Sequence, residues 1–137
     1  RHSYTLKGLD IRNILINEKG LIKLLDPGKL KYEPEVAGIA RYLVTTELLY
    51  WGKLLFFIKF SISNNLKNSI MAGFSTLSLR EKKLLNIFLL KEYIKHWDQA
   101  YNNIDLKFWP KLIKKFLKKY YVDNFFIERV HSIISKI

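Results

Sequence analysis

Asn13 to Gly28 reads NILINEKGLIKLLDPG. Two short runs rich in Ile and Leu, Ile14 to Asn17 and Leu21 to Leu25, are separated by Glu18-Lys19-Gly20. A short polar connection containing Gly predicts a β-hairpin, because glycine adopts the turn conformations that other residues avoid. Asp26-Pro27-Gly28 ends the second run, since Pro has no N–H for a ladder and Gly permits a turn. The hairpin thus has a polar residue before its first strand, Asn13, and another after its second, Asp26. Folding would bring the two together.

Beyond Pro34 the period changes. Val36, Ile39, Ala40, Leu43, Val44 and Leu48 predict one helical face that runs on towards Phe60, with Gly52 marking a bend. The polar stretch Ser61 to Asn68 reads as a loop by composition. Ser78-Leu79-Arg80-Glu81 has the spacing of a capping box and predicts a long helix from Leu79 to Asn102. Trp109-Pro110 opens a third helix reaching Tyr121, because Pro is tolerated in a first turn. A last helix is expected from Asn124 to Ile137. The order, hairpin first and helices after, gives an α+β class that is mostly α: a short N-terminal β-hairpin followed by a helical bundle.

A chain of 137 residues suits a single domain over residues 1–137 and can bury a core. Its hydrophobic content of 49%, with 15% aromatic, excludes a disordered tail. The absence of cysteine excludes disulfide frameworks and thiolate metal sites. A net charge of +12 suggests an anionic partner such as a nucleotide, a nucleic acid or a membrane surface. The most apolar run, Leu48 to Ile62, is interrupted by Lys53 and Lys59 and falls short of the roughly 20 residues that a span requires. The chain begins at Arg1 and enters the hairpin region almost at once, the pattern expected of a fragment with an upstream part.

Asn13-Ile14-Leu15, Gly20, Ile22-Lys23-Leu24 and Asp26-Pro27-Gly28 together resemble the catalytic segment of the protein-kinase-like superfamily. In that family a catalytic-loop Asn precedes a hairpin, and the Asp of an Asp-Phe-Gly-type motif follows it. The thirteen-residue step from Asn13 to Asp26 matches the family's spacing, although Pro27 stands where Phe is usual. Ala37-Gly38-Ile39-Ala40-Arg41 and Ile70-Met71-Ala72-Gly73-Phe74 are similar to segments of the aminoglycoside- and choline-kinase-like branch of small-molecule phosphotransferases. The resemblance is strongest over residues 6 to 28. It implies the C-terminal large lobe of a kinase-like fold, with Asn13 and Asp26 as cofactor-binding residues and Mg²⁺ ligands for ATP. It further implies a small-molecule, sugar or lipid acceptor, a partner N-terminal lobe carrying the glycine-rich loop and phosphate-binding Lys, and a cytoplasmic or membrane-peripheral location. Without that lobe the chain is expected to bind ATP weakly or not at all.

Two positions depart from the family pattern. The catalytic-loop Asp lies five residues before the Asn, where this chain has Gly8, and the helix Asp falls on Gly38. Asp10, three residues before Asn13, is the candidate catalytic base in its place, against the plainer reading of a loop carboxylate paired with Arg12. These departures favour a second reading, a pseudokinase that keeps the fold as a binding or regulatory module. His2 reads as a solvated terminal residue, and His96 and His131 as structural. Lys107, Lys111, Lys114 and Lys118 recur at helical spacing, with Lys115 and Lys119 adjoining and an apolar face of Phe108, Leu112, Phe116 and Tyr120. This stripe reads as a solvated outer face or as a contact for anionic lipid or an acidic polymer. The run Tyr50, Trp51, Lys53, Phe56, Phe57, Lys59 and Phe60 reads as core with snorkelling lysines, or as an apolar substrate wall or a docking surface for a missing domain. A basic helical binder of nucleic acid or a membrane surface rests on charge alone and ranks last, nucleic acid being the less favoured partner.

Overall fold

The computed structural model describes residues 1–7, 13–51, 64–73, 76–103 and 110–137. Four short strands come first: β1 (His2–Leu6), β2 (Ile14–Ile16), β3 (Ile22–Leu24) and β4 (Leu30–Pro34). They form two nested antiparallel pairs. The inner pair is the expected hairpin, with Ile14 opposite Leu24 and Ile16 opposite Ile22. Its turn is held by Asn17, whose Oδ1 accepts from the N–H groups of Lys19 at 3.0 Å and Leu21 at 2.9 Å. Gly20 adopts φ 76°, a left-handed conformation that disfavours any side chain.

The outer pair joins β1 to β4, with Tyr4 opposite Tyr32. Its alternation runs against the usual rule. Thr5 and Glu33 are buried, whereas Tyr4, Leu30 and Tyr32 are exposed. A polar face turned inward gives no hydrophobic period, so neither strand is announced by the sequence. His2 is exposed, as expected, and stacks on Tyr32 with ring centroids 5.8 Å apart.

The helices follow: α1 (Glu35–Trp51), α2 (Asn64–Ala72), α3 (Leu79–Asn103), α4 (Lys111–Leu117) and α5 (Asn124–Ile134). The fold is α+β and mostly helical. Two expectations are corrected. Residues 64–68, read as loop from their polarity, begin α2, because Ile70 and Met71 further along it pack onto a core formed with α1 and α3. Tertiary burial outweighs the weak local propensity. The helix expected to end at Tyr121 does not stop; a π-helical turn, Lys118–Asp123, carries it directly into α5. Gly52 and Phe56 to Phe60, along with Lys107 and Phe108, lie outside the described residues.

The face predicted for α1 serves two clusters. Val36, Ile39, Ala40 and Leu43 pack with Leu85 of α3. Val44 packs with Tyr93 of α3, Val122 of the π-helical turn, and Phe126 and Ile133 of α5. Val122 and Phe126, four positions apart, fall on the same side, and both are fully buried. Trp97 stacks on Phe126 at 6.0 Å and donates its indole N–H to Asp123 Oδ1 at 2.8 Å, which locks the turn to α3. The capping box forms as predicted. Ser78 N–H donates to Glu81 Oε2 at 2.9 Å, and Glu81 N–H donates back to Ser78 Oγ at 3.3 Å.

Candidate nucleotide and metal site

The nesting of the strands decides where the two candidate ligands lie. Residues 7 and 13 flank the connection from β1 to β2, and residues 25 to 29 form the connection from β3 to β4. Lys7 and Asn13 therefore sit beside this β3–β4 connection, at one end of the strand pairs. There the Asn13 side chain donates through Nδ2 to the Asp26 carbonyl oxygen at 3.1 Å, and Leu25 N–H donates to the Asn13 carbonyl at 2.8 Å. Asp26 is exposed, and its Oδ1 accepts from Gly28 N–H at 3.1 Å. Gly28 has φ 64°, so the turn that aims the carboxylate depends on a residue that tolerates the left-handed region.

The donor set suits a hard cation. Asn13 brings a side-chain amide, and Asp26 a carboxylate, to the same turn. Asp26 keeps a second carboxylate oxygen. Mg²⁺ takes one or two side-chain oxygens from a protein and completes its shell with phosphate and water. Among the described residues no group of three or more His, Cys, Asp or Glu gathers at metal distance.

A second layer holds this end of the strands. Arg41 of α1 donates through Nη1 to the Leu6 carbonyl at 3.1 Å. The N–H of the same peptide, that of Lys7, donates to the Lys29 carbonyl at 3.0 Å. The peptide ending β1 is thus pinned from both sides, by α1 on one and by the chain leaving Asp26 on the other. Arg41 is itself oriented by Glu33, with Nη2 to Oε1 at 2.9 Å, and lies 3.9 Å from Glu92. Lys31 reaches the other Glu33 oxygen at 3.0 Å, and Thr5 donates its hydroxyl to Glu33 Oε1. Burial alone would raise the Glu33 pKa, but the hydrogen bonds from Thr5, Lys31 and Arg41 together hold it down at about 2.

Sequence reasoning singled out Arg41 only as part of a resemblance and missed Thr5 and Glu33. The usable signal was the polar alternation of β1 and β4, which is uninterpretable until their pairing is known. Arg41→Lys keeps the charge facing Glu33 but replaces a planar fork with one point donor. It is expected to accelerate amide exchange at Lys7 roughly tenfold, the scale of one charge-assisted hydrogen bond, while Phe126 is unaffected. Hydrogen exchange followed by NMR measures both.

Asp10 and Gly8 lie outside the described residues. Gly38 is buried on α1, where an added Cβ would meet Thr5 Cγ2 at 3.5 Å, so a carboxylate there would stand against the Thr5–Glu33 cluster. His96 lies 3.9 Å from Glu92 through Nε2. A cleft of about 680 Å³ lies by the opposite end of β1, lined by Arg1, His2, Pro34, Arg80 and Leu84 among others, and includes neither Asn13 nor Asp26. No protein-family model, curated protein or solved structure matches the chain.

Proposed function

We propose that this chain forms the large lobe of a kinase-like phosphotransferase, in which Asn13 and Asp26 hold Mg²⁺ against the phosphates of ATP. The observation that carries the reading is the pairing of these two residues, thirteen positions apart, through the 3.1 Å contact at the end of a nested hairpin. Bound Mg²⁺ would neutralise charge on the transferred phosphoryl group, and the protein's share is positioning and electrostatics. Asn13 and Asp26 supply oxygen, Gly28 and Lys29 fix the turn behind Asp26, and Arg41 fixes the strand that leads towards Asn13. The reading also requires a partner lobe with a glycine-rich loop and a phosphate-binding Lys. The acceptor would be a hydroxyl of a small molecule, sugar or lipid, in the cytoplasm or at a membrane surface.

The second reading is a pseudokinase with the same fold, favoured by Gly8 and Gly38 at positions where the family pattern has carboxylates. Titration calorimetry of the full-length protein with ATP, with and without Mg²⁺, tests the site. Asp26→Ala is expected to weaken Mg²⁺-dependent affinity roughly tenfold or more, the scale of a lost interaction between charged groups. An unchanged affinity would sink the metal-site reading. Turnover separates the two versions. If Asp10 is the base, Asp10→Asn should lower the rate roughly 10²-fold or more while binding persists. If turnover is absent and Gly8→Asp restores it, the pseudokinase reading holds.

A further inference from the structure

From Lys111 onward the basic stripe singled out in the sequence falls on α4 and the π-helical turn, where several large apolar side chains are exposed. Leu112 is 83% exposed, Phe116 62% and Tyr120 55%, and Ile113 is also exposed. Phe116 and Tyr120 stack on each other with centroids 5.5 Å apart, so the rings form one continuous patch. α4 packs on the π-helical turn that follows it.

Along α4, at 100° per residue, positions 112, 113, 116 and 117 occupy one arc and the lysine positions 111, 114 and 115 the other, and Lys118, Lys119 and Tyr120 follow in the π-helical turn. Lys115 and Lys119 are exposed. We propose that this segment is a surface-lying membrane anchor that seats its Leu–Phe–Tyr patch among the acyl chains of an anionic lipid leaflet while its lysines meet the headgroups.

Charge complementarity selects the occupant. Five lysine positions within nine residues, on a chain of net charge +12, favour a negative surface. The aliphatic part of the patch then separates lipid from nucleic acid. Leu112 and Ile113 gain most from hydrocarbon, and a phosphodiester backbone offers none. Among the described residues no helix is long and apolar enough to cross a membrane. An amphipathic helix with a basic polar face lies in the interface plane, held by buried apolar area and by attraction to anionic headgroups. This inference does not depend on the nucleotide site, because it uses a different part of the chain.

Co-sedimentation with unilamellar vesicles tests it. The full chain is expected to bind phosphatidylcholine vesicles that contain phosphatidylserine, to bind pure phosphatidylcholine far more weakly, and to be released as salt rises. The double variant Leu112→Ser/Phe116→Ser should lose more than tenfold in affinity, the scale of leaving two large apolar side chains unburied. Lys115→Glu/Lys119→Glu should lose at least tenfold through charge, each lysine near a charged leaflet being worth about fivefold. All four positions are exposed, so circular dichroism should show wild-type helix content in both variants. The proposal is overturned by no binding to the phosphatidylserine vesicles, by binding that survives the loss of Leu112 and Phe116, or by a patch that the serine variant shows to be a dimer contact by turning a dimer into a monomer without changing vesicle affinity. Tighter binding to a single-stranded oligonucleotide than to vesicles, lost with the lysines alone, would assign the surface to nucleic acid instead.

Discussion

Glu47→Ala is expected to destabilise the fold by about 3 kcal/mol, at the lower end of the range for breaking a buried ion pair. Glu47 lies where three helices meet. Arg129 of α5 donates to its Oε1 through Nε at 2.8 Å and approaches it through Nη2 at 2.7 Å, and Tyr93 of α3 donates its hydroxyl to Oε2. Arg129 also lies over the Phe125 ring at 5.1 Å. Burial raises the Tyr93 pKa far above its ordinary value, and the Glu47 carboxylate raises it further, so the phenol stays protonated as a donor. Burial works against the Arg129 charge, but Glu47 more than offsets it and the guanidinium pKa rises. Removing the carboxylate leaves a buried hydroxyl and a half-buried cation with no acceptor at that spot. The cation's partial access to water keeps the cost near the lower end. Glu47→Ala/Arg129→Met should recover part of the loss, since removing both charges is cheaper than stranding one. Urea unfolding monitored by Trp fluorescence measures all three proteins. A loss below about 1 kcal/mol for Glu47→Ala would class the cluster with ordinary surface pairs.

The parts of this fold that could be read from sequence are those whose chemistry is local. The hairpin was legible because Gly20 and Asp26-Pro27-Gly28 encode turns, and α3 because Ser78 and Glu81 encode a start. The α1 face was legible because Val36, Ile39, Ala40 and Leu43 keep helical spacing. What stayed hidden is non-local. β1 and β4 pair across the whole hairpin and turn Thr5 and Glu33 inward, so their meaning depends on Arg41 arriving from another element. α2 opens on polar residues and is held by Ile70 and Met71 against α1 and α3. For the candidate site, Asn13 and Asp26 could be named only through the family resemblance of the segment around them. The pinned Leu6–Lys7 peptide could not, because a backbone carbonyl has no signature in a sequence.

The same buried cluster makes acid the condition that should unfold this protein. Glu33 ordinarily titrates near 4.5 and is held at about 2 in the folded chain. A carboxylate whose pKa is depressed by folding adds stability above its unfolded pKa and loses it as pH falls towards the folded value. The window is therefore pH 4.5 down to about 2, and the contribution at neutral pH is about 3 kcal/mol. Burial opposes ionisation, so the effect comes from Thr5, Lys31 and Arg41, which all face the carboxylate, with Glu92 behind Arg41. Glu33→Gln keeps the size and removes the charge. It should be less stable than wild type by about 3 kcal/mol at pH 7, and the gap should close to under about 1 kcal/mol near pH 2.5. Glu81 complicates the wild-type curve, because the Ser78 N–H and hydroxyl also hold it near 2. The difference between Glu33→Gln and wild type cancels that exposed contribution, since Glu81 is present in both. Urea unfolding repeated between pH 7 and 2.5 gives the difference directly. A gap that stays constant with pH would mean that Glu33→Gln acts by misplacing Arg41 and not through the charge of Glu33.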